Sequence, residues 1–209
     1  MLISFAIPLL LLLIFKPLLA AYKQFRILQS QLDKVKANRN IFYSLLADNS
    51  LEFMPEHAKP LVFGPIDAKN TITVVTNPGC THCAELHKEI ERLQALNENI
   101  KINVIFAIDE NKDVENFQVA NALVTIYRKK GAQQTWQALQ KWYNNTEKSF
   151  DKWLAALEIS DEMLHNATRL NLHKDWCIGN KITYTPVVLL NGHKLPEMYE
   201  LSEIPAFLN

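Results

Sequence analysis

Asn70-Thr71-Ile72-Thr73-Val74-Val75-Thr76-Asn77-Pro78-Gly79-Cys80-Thr81-His82-Cys83 is the stretch whose reading decides the fold. Residues 71–76 are β-branched throughout, the composition of a buried strand. Asn77-Pro78-Gly79 stops that strand. Cys80–Ala95 then reads as a helix, with Leu86, Ile90, Leu93 and Leu96 on one face. The Cys80-x-x-Cys83 pair therefore sits where a buried strand hands over to a helix. On a first helical turn, residues three apart bring their Cα atoms to about 5–6 Å, within disulfide reach. The unpaired N–H groups and the positive end of the helix favour a thiolate on the first cysteine. Cys80 is thus the expected nucleophile, and Cys83 the resolving thiol that breaks a mixed disulfide. His82 stands between them, and an imidazolium there would stabilise the thiolate further.

Other uses of the pair fit less well. A structural zinc site needs four ligands; His87 would give a third, and Cys177 is the only other cysteine. Attachment of a c-type haem requires His directly after the second cysteine, where Ala84 stands. No metal and no cofactor is expected. Cys177 reads as an inert buried residue, and His87, one turn past Cys83, as a weak partner for proton exchange with that thiol. His57, His165, His173 and His193 read as surface or helix residues.

Outward from the pair, Leu61–Phe63 and Ile102–Ile108 are strands. Asp113–Lys130 is helical and closes at Gly131; Gln133–Tyr143, Ser149–Leu157 and Ser160–Trp176 are further helical pieces. Tyr184–Leu190 is a strand, Asn191-Gly192 a tight turn and His193–Leu195 the return. Ser202 is expected to cap a terminal helix. The order is two strands, a helix, a strand, a helical block over about 113–178, a hairpin and a helix.

The 209 residues carry 22 Lys and Arg against 22 Asp and Glu, so no basic surplus points to nucleic acid. A charged share of 21% with 48% hydrophobic residues excludes a disordered chain. Met1–Phe15 is uncharged, and with Leu18–Tyr22 it makes about 21 residues, just the length that spans a bilayer. Residues 1–21 are read as a retained membrane helix. A cleaved signal peptide is the rival, disfavoured because no Lys or Arg precedes the run and the site after Ala21 is poor. Residues 22–60 read as an amphipathic helical arm over Tyr22–Ala47 and a linker, and 61–209 as the globular domain. Lys16, Lys23, Arg26, Lys34 and Lys36 all follow the apolar run, which by the positive-inside rule places the domain in the cytoplasm. An oxidising CxxC belongs outside, where disulfides persist. The expectation is an inner-membrane protein with a periplasmic domain.

Strand, CxxC helix, strand, helical block and then Tyr184-Thr185-Pro186-Val187 opening a hairpin resembles a thioredoxin-like domain. Thr185-Pro186 matches that family's Thr-cis-Pro element. The resemblance implies a cis bond at Pro186, and a Thr185 backbone that pairs with an extended substrate beside Cys80. About a hundred residues separate Cys83 from Pro186, which is similar to the Dsb-type oxidants with an inserted helical domain. Four segments resemble more closely the thioredoxin domain of bacterial vitamin K epoxide reductase fusions: Phe15-Lys16-Pro17-Leu18; Ile41-Phe42 with Leu45-Leu46; Asn70–Pro78; and Thr185-Pro186 through Asn191-Gly192 to Leu195-Pro196. With one apolar segment, the chain is expected to lack that family's membrane reductase core. The resemblance implies an α/β thioredoxin-like fold with a helical insertion, protein thiols or disulfides as substrates, and a quinone-linked membrane reductase as partner. Two departures stand out. Thr81-His82 replaces the thioredoxin Gly-Pro, and strand Ile72–Thr76 offers no carboxylate to help the resolving thiol. The contrasting function is a non-catalytic peptide-binding module with a structural disulfide.

Overall fold

A computed structural model describes residues 3–97, 99–145, 149–157 and 167–208, without the side chains of 3–14 and 167. The start of the helix expected over Ser160–Trp176 lies outside the described residues. The chain forms two compact units, residues 1–45 and 46–209.

In the first unit, α1 (Ile3–Lys36) runs unbroken across residue 21, and α2 (Arg39–Asp48) begins. The sequence reads 22–47 as one helix; the structure breaks it at Ala37-Asn38. Asn38 Oδ1 accepts the N–H groups of Asn40 and Ile41 at 3.0 and 3.4 Å, so Asn38 is an N-cap rather than an interior residue. Phe15, Leu18, Tyr22, Phe25, Leu28 and Leu32 are exposed along α1. Among the described residues no helix is long and apolar enough to cross a membrane. The uncharged run 1–15, on which the expected membrane helix rests, falls almost wholly on side chains outside the description.

In the second unit, β1 (Leu61–Phe63), β2 (Asn70–Thr76), β3 (Ile100–Phe106), β4 (Val187–Leu190) and β5 (His193–Lys194) form one sheet in the order β1-β3-β2-β4-β5. β2 and β3 are parallel, paired from Asn70 with Ile100 to Thr76 with Phe106. Parallel neighbours need a crossover, and α3 (Thr81–Leu96) supplies it. The remaining pairings are antiparallel. Every residue of β2 but Thr71, and of β3 but Lys101, is buried, as a strand covered on both faces requires. Ala58, Val75, Ile105, Trp176, Cys177, Val187 and Leu189 form a core on one face of the sheet.

The insertion consists of α4 (Val114–Asn144), α5 (Phe150–Ala155) and α6 (Ala167–Gly179). α4 is broken at Gly131, whose φ of +85° only glycine adopts readily; the sequence ends a helix at the same residue. The Asn191-Gly192 turn takes φ of +50° and +88°, as a two-residue hairpin of this type needs. Two expectations are corrected. The strand expected from Tyr184 starts at Val187, because Tyr184 and Thr185 lead into Pro186 and make no ladder. The terminal helix is a 3-10 segment, Leu201–Ala206, capped by Glu200 rather than Ser202. There Glu203 accepts the Glu200 N–H at 2.9 Å, and Pro205 keeps the segment short.

The stretch read as linker is bound into this unit. Asn49 C=O accepts the Lys194 N–H at 3.0 Å, Ser50 bridges His193, and Trp176 Nε1–H donates to the carbonyls of Phe53 and Met54 at 3.0 and 2.9 Å.

Candidate active site

β2 ends at Thr76 and the chain reverses through Asn77-Pro78-Gly79. Asn77 Oδ1 accepts the Gly79 N–H at 2.8 Å, and the Asn77 carbonyl accepts the Cys80 N–H at 3.0 Å. The insertion holds the same turn from the other side. Trp142 Nε1–H donates to the Pro78 carbonyl at 2.9 Å, and the Tyr143 hydroxyl to the Asn77 carbonyl at 3.1 Å. A Cβ at Gly79 would collide with the Asn116 amide, itself bonded to both carboxylate oxygens of Asp113. The turn delivers Cys80 to the N-cap of α3, where its Sγ accepts the Cys83 N–H at 3.2 Å.

From the far side comes Thr185. Its carbonyl lies 3.6 Å from Cys80 Sγ, and the Thr185-Pro186 bond is cis. The structure thus brings Cys80, Cys83, Thr185 and Pro186 together. All three cysteines are free thiols, Cys80 half-buried, Cys83 and Cys177 buried. Burial pushes the Cys80 thiol up, yet hydrogen bonds from Cys83, Thr185 and the N–H groups of Cys83 and His82 outweigh it and bring the thiol below its ordinary value. Burial pushes Cys83 up, and its bond to Cys80 adds to this against smaller help from Thr76, Asn77 and Thr185. One sulfur is poised to ionise, the other to stay protonated.

His82 lies in the first turn of α3. Its side chain is 82% exposed, with Nδ1 3.7 Å from Glu85 Oε2, and what it gives Cys80 is its backbone N–H. At the first turn of a helix the N–H points at the cap while the side chain leans outward.

His87 is fully buried and stacked on Tyr143 with ring centroids 4.3 Å apart. Its Nε2 lies 3.2 Å from Thr76 Oγ1, which is also 2.7 Å from the Tyr143 hydroxyl. Burial pushes His87 down to about 3. His173, expected on the surface or a helix, is on α6 but fully buried: Nδ1 accepts the Phe106 N–H at 3.1 Å and Nε2–H donates to the Lys59 carbonyl at 3.3 Å. Burial holds it down at about 4. Cys177, buried in the core, is pushed up to about 12.

Thr76, Trp142 and Tyr143 are the site residues that sequence reasoning missed. Thr76 carries a weak signal, as the last polar residue of a buried strand next to the CxxC turn. Nothing in the spacing of Trp142-Tyr143 says that α4 returns to that turn. Beside Thr185 opens a groove of about 390 Å³, lined also by Asn77, Ile178, Tyr184 and the Lys174–Asp109 ion pair, 3.1 Å.

A βαβ unit and hairpin in one sheet, with a CxxC capping the crossover helix opposite a cis-proline, define a thioredoxin-fold protein. The family model described as thioredoxin matches residues 56–209, and the chain belongs to that family. No curated protein sequence matches the chain. Among solved structures, it is similar to oxidised BdbD from Bacillus subtilis, at 15% identity and a TM-score of 0.62 over 75% of this chain and 95% of that one. A periplasmic thioredoxin-like protein from Salmonella enterica serovar Typhimurium gives 12% and 0.58 over 80% and 94%. The thiol-disulfide exchange protein alpha-DsbA2 from Wolbachia pipientis gives 10% and 0.59 over 80% and 94%. At these identities the likeness shows the fold.

Proposed function

We propose that this protein is a thiol–disulfide oxidoreductase that exchanges a Cys80–Cys83 disulfide with protein thiols. The observation that carries this reading is the contrast between the two sulfurs: Cys80 half-exposed and lowered, Cys83 buried and raised, with the Thr185 carbonyl beside the first. A peptide-binding module with a structural disulfide has no use for that contrast.

The chemistry follows from the positions. A client thiolate attacks Cys80 Sγ of the oxidised pair. A client–Cys80 bond forms, the Cys80–Cys83 bond breaks, and its electron pair leaves on Cys83 as a thiolate. A second client thiolate attacks the client sulfur, a client disulfide forms, and Cys80 leaves as a thiolate. Two electrons pass from client to enzyme; the reverse sequence reduces a client disulfide. Helix N–H groups hold Cys80 as a good leaving group in one direction and an ionised nucleophile in the other. Thr185 offers a backbone edge to the client segment, and Pro186 shapes it; both roles follow the family resemblance.

Residues 1–21 tether this domain to the inner membrane on its periplasmic side, where a quinone-linked reductase resets the disulfide. The length of that segment, about 21 residues, supports the tether, and the periplasmic location of the similar Salmonella protein supports the compartment.

Titrating the full chain against glutathione buffers tests the core reading. A reversible two-electron couple above about −300 mV is expected; a potential below that value marks a structural disulfide. In parallel, Cys83→Ser should accumulate a mixed disulfide through Cys80. No trapped species on Cys80 would overturn the assignment of roles.

A further inference from the structure

No carboxylate, lysine or arginine is among the buried polar side chains of the described residues; that set is Asn, Thr, His and Gln. Yet in the exchange proposed above, in either direction, negative charge must develop on the buried Cys83. Something neutral has to receive it, and the residues around Thr76 show what.

The protons of this cluster order themselves. His87 Nδ1 meets no hydrogen-bond partner among the described residues, whereas Nε2 faces Thr76 Oγ1. A buried N–H without a partner is worse than a bare lone pair, so the proton sits on Nε2 and is donated to Thr76. The Tyr143 hydroxyl donates to the Asn77 carbonyl. Its oxygen is therefore left to accept from Thr76, 2.7 Å away. The chain reads His87 Nε2–H to Thr76 Oγ1–H to Tyr143 Oη–H to the Asn77 carbonyl. Thr76 has one proton and two candidate acceptors, Tyr143 Oη and Cys83 Sγ, and a hydrogen bond from Thr76 favours the Cys83 thiolate.

We propose that the Thr76 hydroxyl is a hydrogen-bond switch for the resolving sulfur. Its proton rests on Tyr143 Oη while Cys83 is a thiol or disulfide, and it turns to Cys83 Sγ as that sulfur gains charge. His87 and Tyr143 are positioning residues: one holds the Thr76 oxygen, the other supplies the alternative acceptor. No proton leaves the network, so the imidazole and the phenol both stay neutral between about pH 4 and 8. The titratable groups facing Thr76 are Cys83 and His87 from α3 and Tyr143 from α4; Trp136 is the other ring near His87, at 6.4 Å. Because the switch acts on the thiolate both as leaving group and as nucleophile, it serves oxidation and reduction alike. The inference rests on the oxidoreductase reading.

The test uses the reduced full chain and oxidised glutathione. Cys80 attacks the glutathione disulfide and releases one glutathione thiolate. Cys83 then attacks Cys80 Sγ and releases the second, in a first-order step independent of glutathione. The rate of that second step against pH reports the ionisation of Cys83. Removing the hydroxyl in Thr76→Val should cut the thiolate fraction about tenfold to a hundredfold. Thiolate nucleophilicity moves the other way by about half the logarithm, leaving a step about threefold to tenfold slower at pH 7. The profile should shift to higher pH, and Thr76→Ser should restore it. Tyr143→Phe should act with the opposite sign: without its competing acceptor the Thr76 proton is committed to sulfur, and the profile shifts to lower pH. A merely structural role predicts slowing in both variants, so Tyr143→Phe decides the matter even if Thr76→Val fails to fold. Superposed profiles in the two variants overturn the switch. So does a wild-type inflection between about pH 4 and 8 that vanishes in His87→Phe, since the imidazole would then be taking the proton. Absence of the first step shows instead that the oxidoreductase reading is wrong, and the switch falls with it.

Discussion

Cys80 and Cys83 lie one helical turn apart and meet opposite surroundings. The cap position gives Cys80 two backbone N–H groups and partial exposure, while Cys83 turns into the unit beneath the cap. Reactivity should follow thiolate fraction and access. At pH 7, iodoacetamide should label Cys80 of the native reduced protein well before Cys83, and Cys177 only on unfolding; mass spectrometry of timed samples reads this directly, and early label on Cys177 would contradict its burial. The buried histidines set the acid limit of the fold. His87 and His173 are held at about 3 and about 4 by burial, against 6.5 unfolded. A histidine with a lowered folded value stays neutral in the fold while the unfolded chain takes up a proton. Stability is therefore full above about pH 6.5 and falls as pH drops towards the folded values. Each residue contributes a slope of about 1.4 kcal/mol per pH unit in that window. Denaturant midpoints taken from pH 7 to 4.5 should fall steadily, and His173→Asn should flatten the slope; a flat wild-type curve would show that burial does not hold these rings neutral. The placing of Cys80 and Cys83 at the head of a helix was legible from residue type and position alone. The exposure of the His82 ring was not, because sequence adjacency does not say which way a side chain leans.

At the scale of elements, the strand-to-helix turn is held by both ends of α4, which is distant from it in sequence. Trp142 and Tyr143 bond its carbonyls, and Asn116 packs where Gly79 has no side chain. Overpacking there is expected to be expensive, about 1–3 kcal/mol for Gly79→Ala. Trimming the obstacle should relieve it: Gly79→Ala with Asn116→Ala should lose less than the two single changes summed, a coupling that a double-mutant cycle of denaturant midpoints measures. Strict additivity would mean that the turn, not Asn116, sets the need for glycine. The elements that form this site were visible because local chemistry writes them: six β-branched residues for β2, a Pro-Gly stop, glycine at the break in α4, Asn-Gly for the hairpin. The break at Asn38 and the Glu200 cap were missed because each depends on one side chain turning back to a backbone N–H. Periodicity, which counts apolar spacings, is blind to that. The way α4 closes on the turn is a tertiary contact across more than sixty residues, and no local pattern encodes it.

On the scale of the whole molecule, the division at residue 46 has physical consequences. The second unit holds the five-stranded sheet, its insertion and the Cys80–Cys83 and Thr185–Pro186 pairs, together with residues 49–58, which bond to α6 and β5. The sequence put the domain start at residue 61 because Asn, Ser and two prolines read as linker. The main-chain hydrogen bonds of those residues show them to be part of the unit. A domain with its own core and site should not need the first unit for redox chemistry. The first unit, by contrast, presents apolar side chains along α1 and carries the uncharged run at its start. A chain starting at Leu46 should therefore keep the glutathione potential and the melting transition of the whole protein. The whole protein, when expressed, should sediment with membranes and resist alkaline extraction, while the shortened chain stays in the supernatant. Loss of the redox couple on shortening would show that residues 1–45 complete the site. A full chain that washes off the membrane at high pH would remove the tether from the proposed function and leave the exchange chemistry standing.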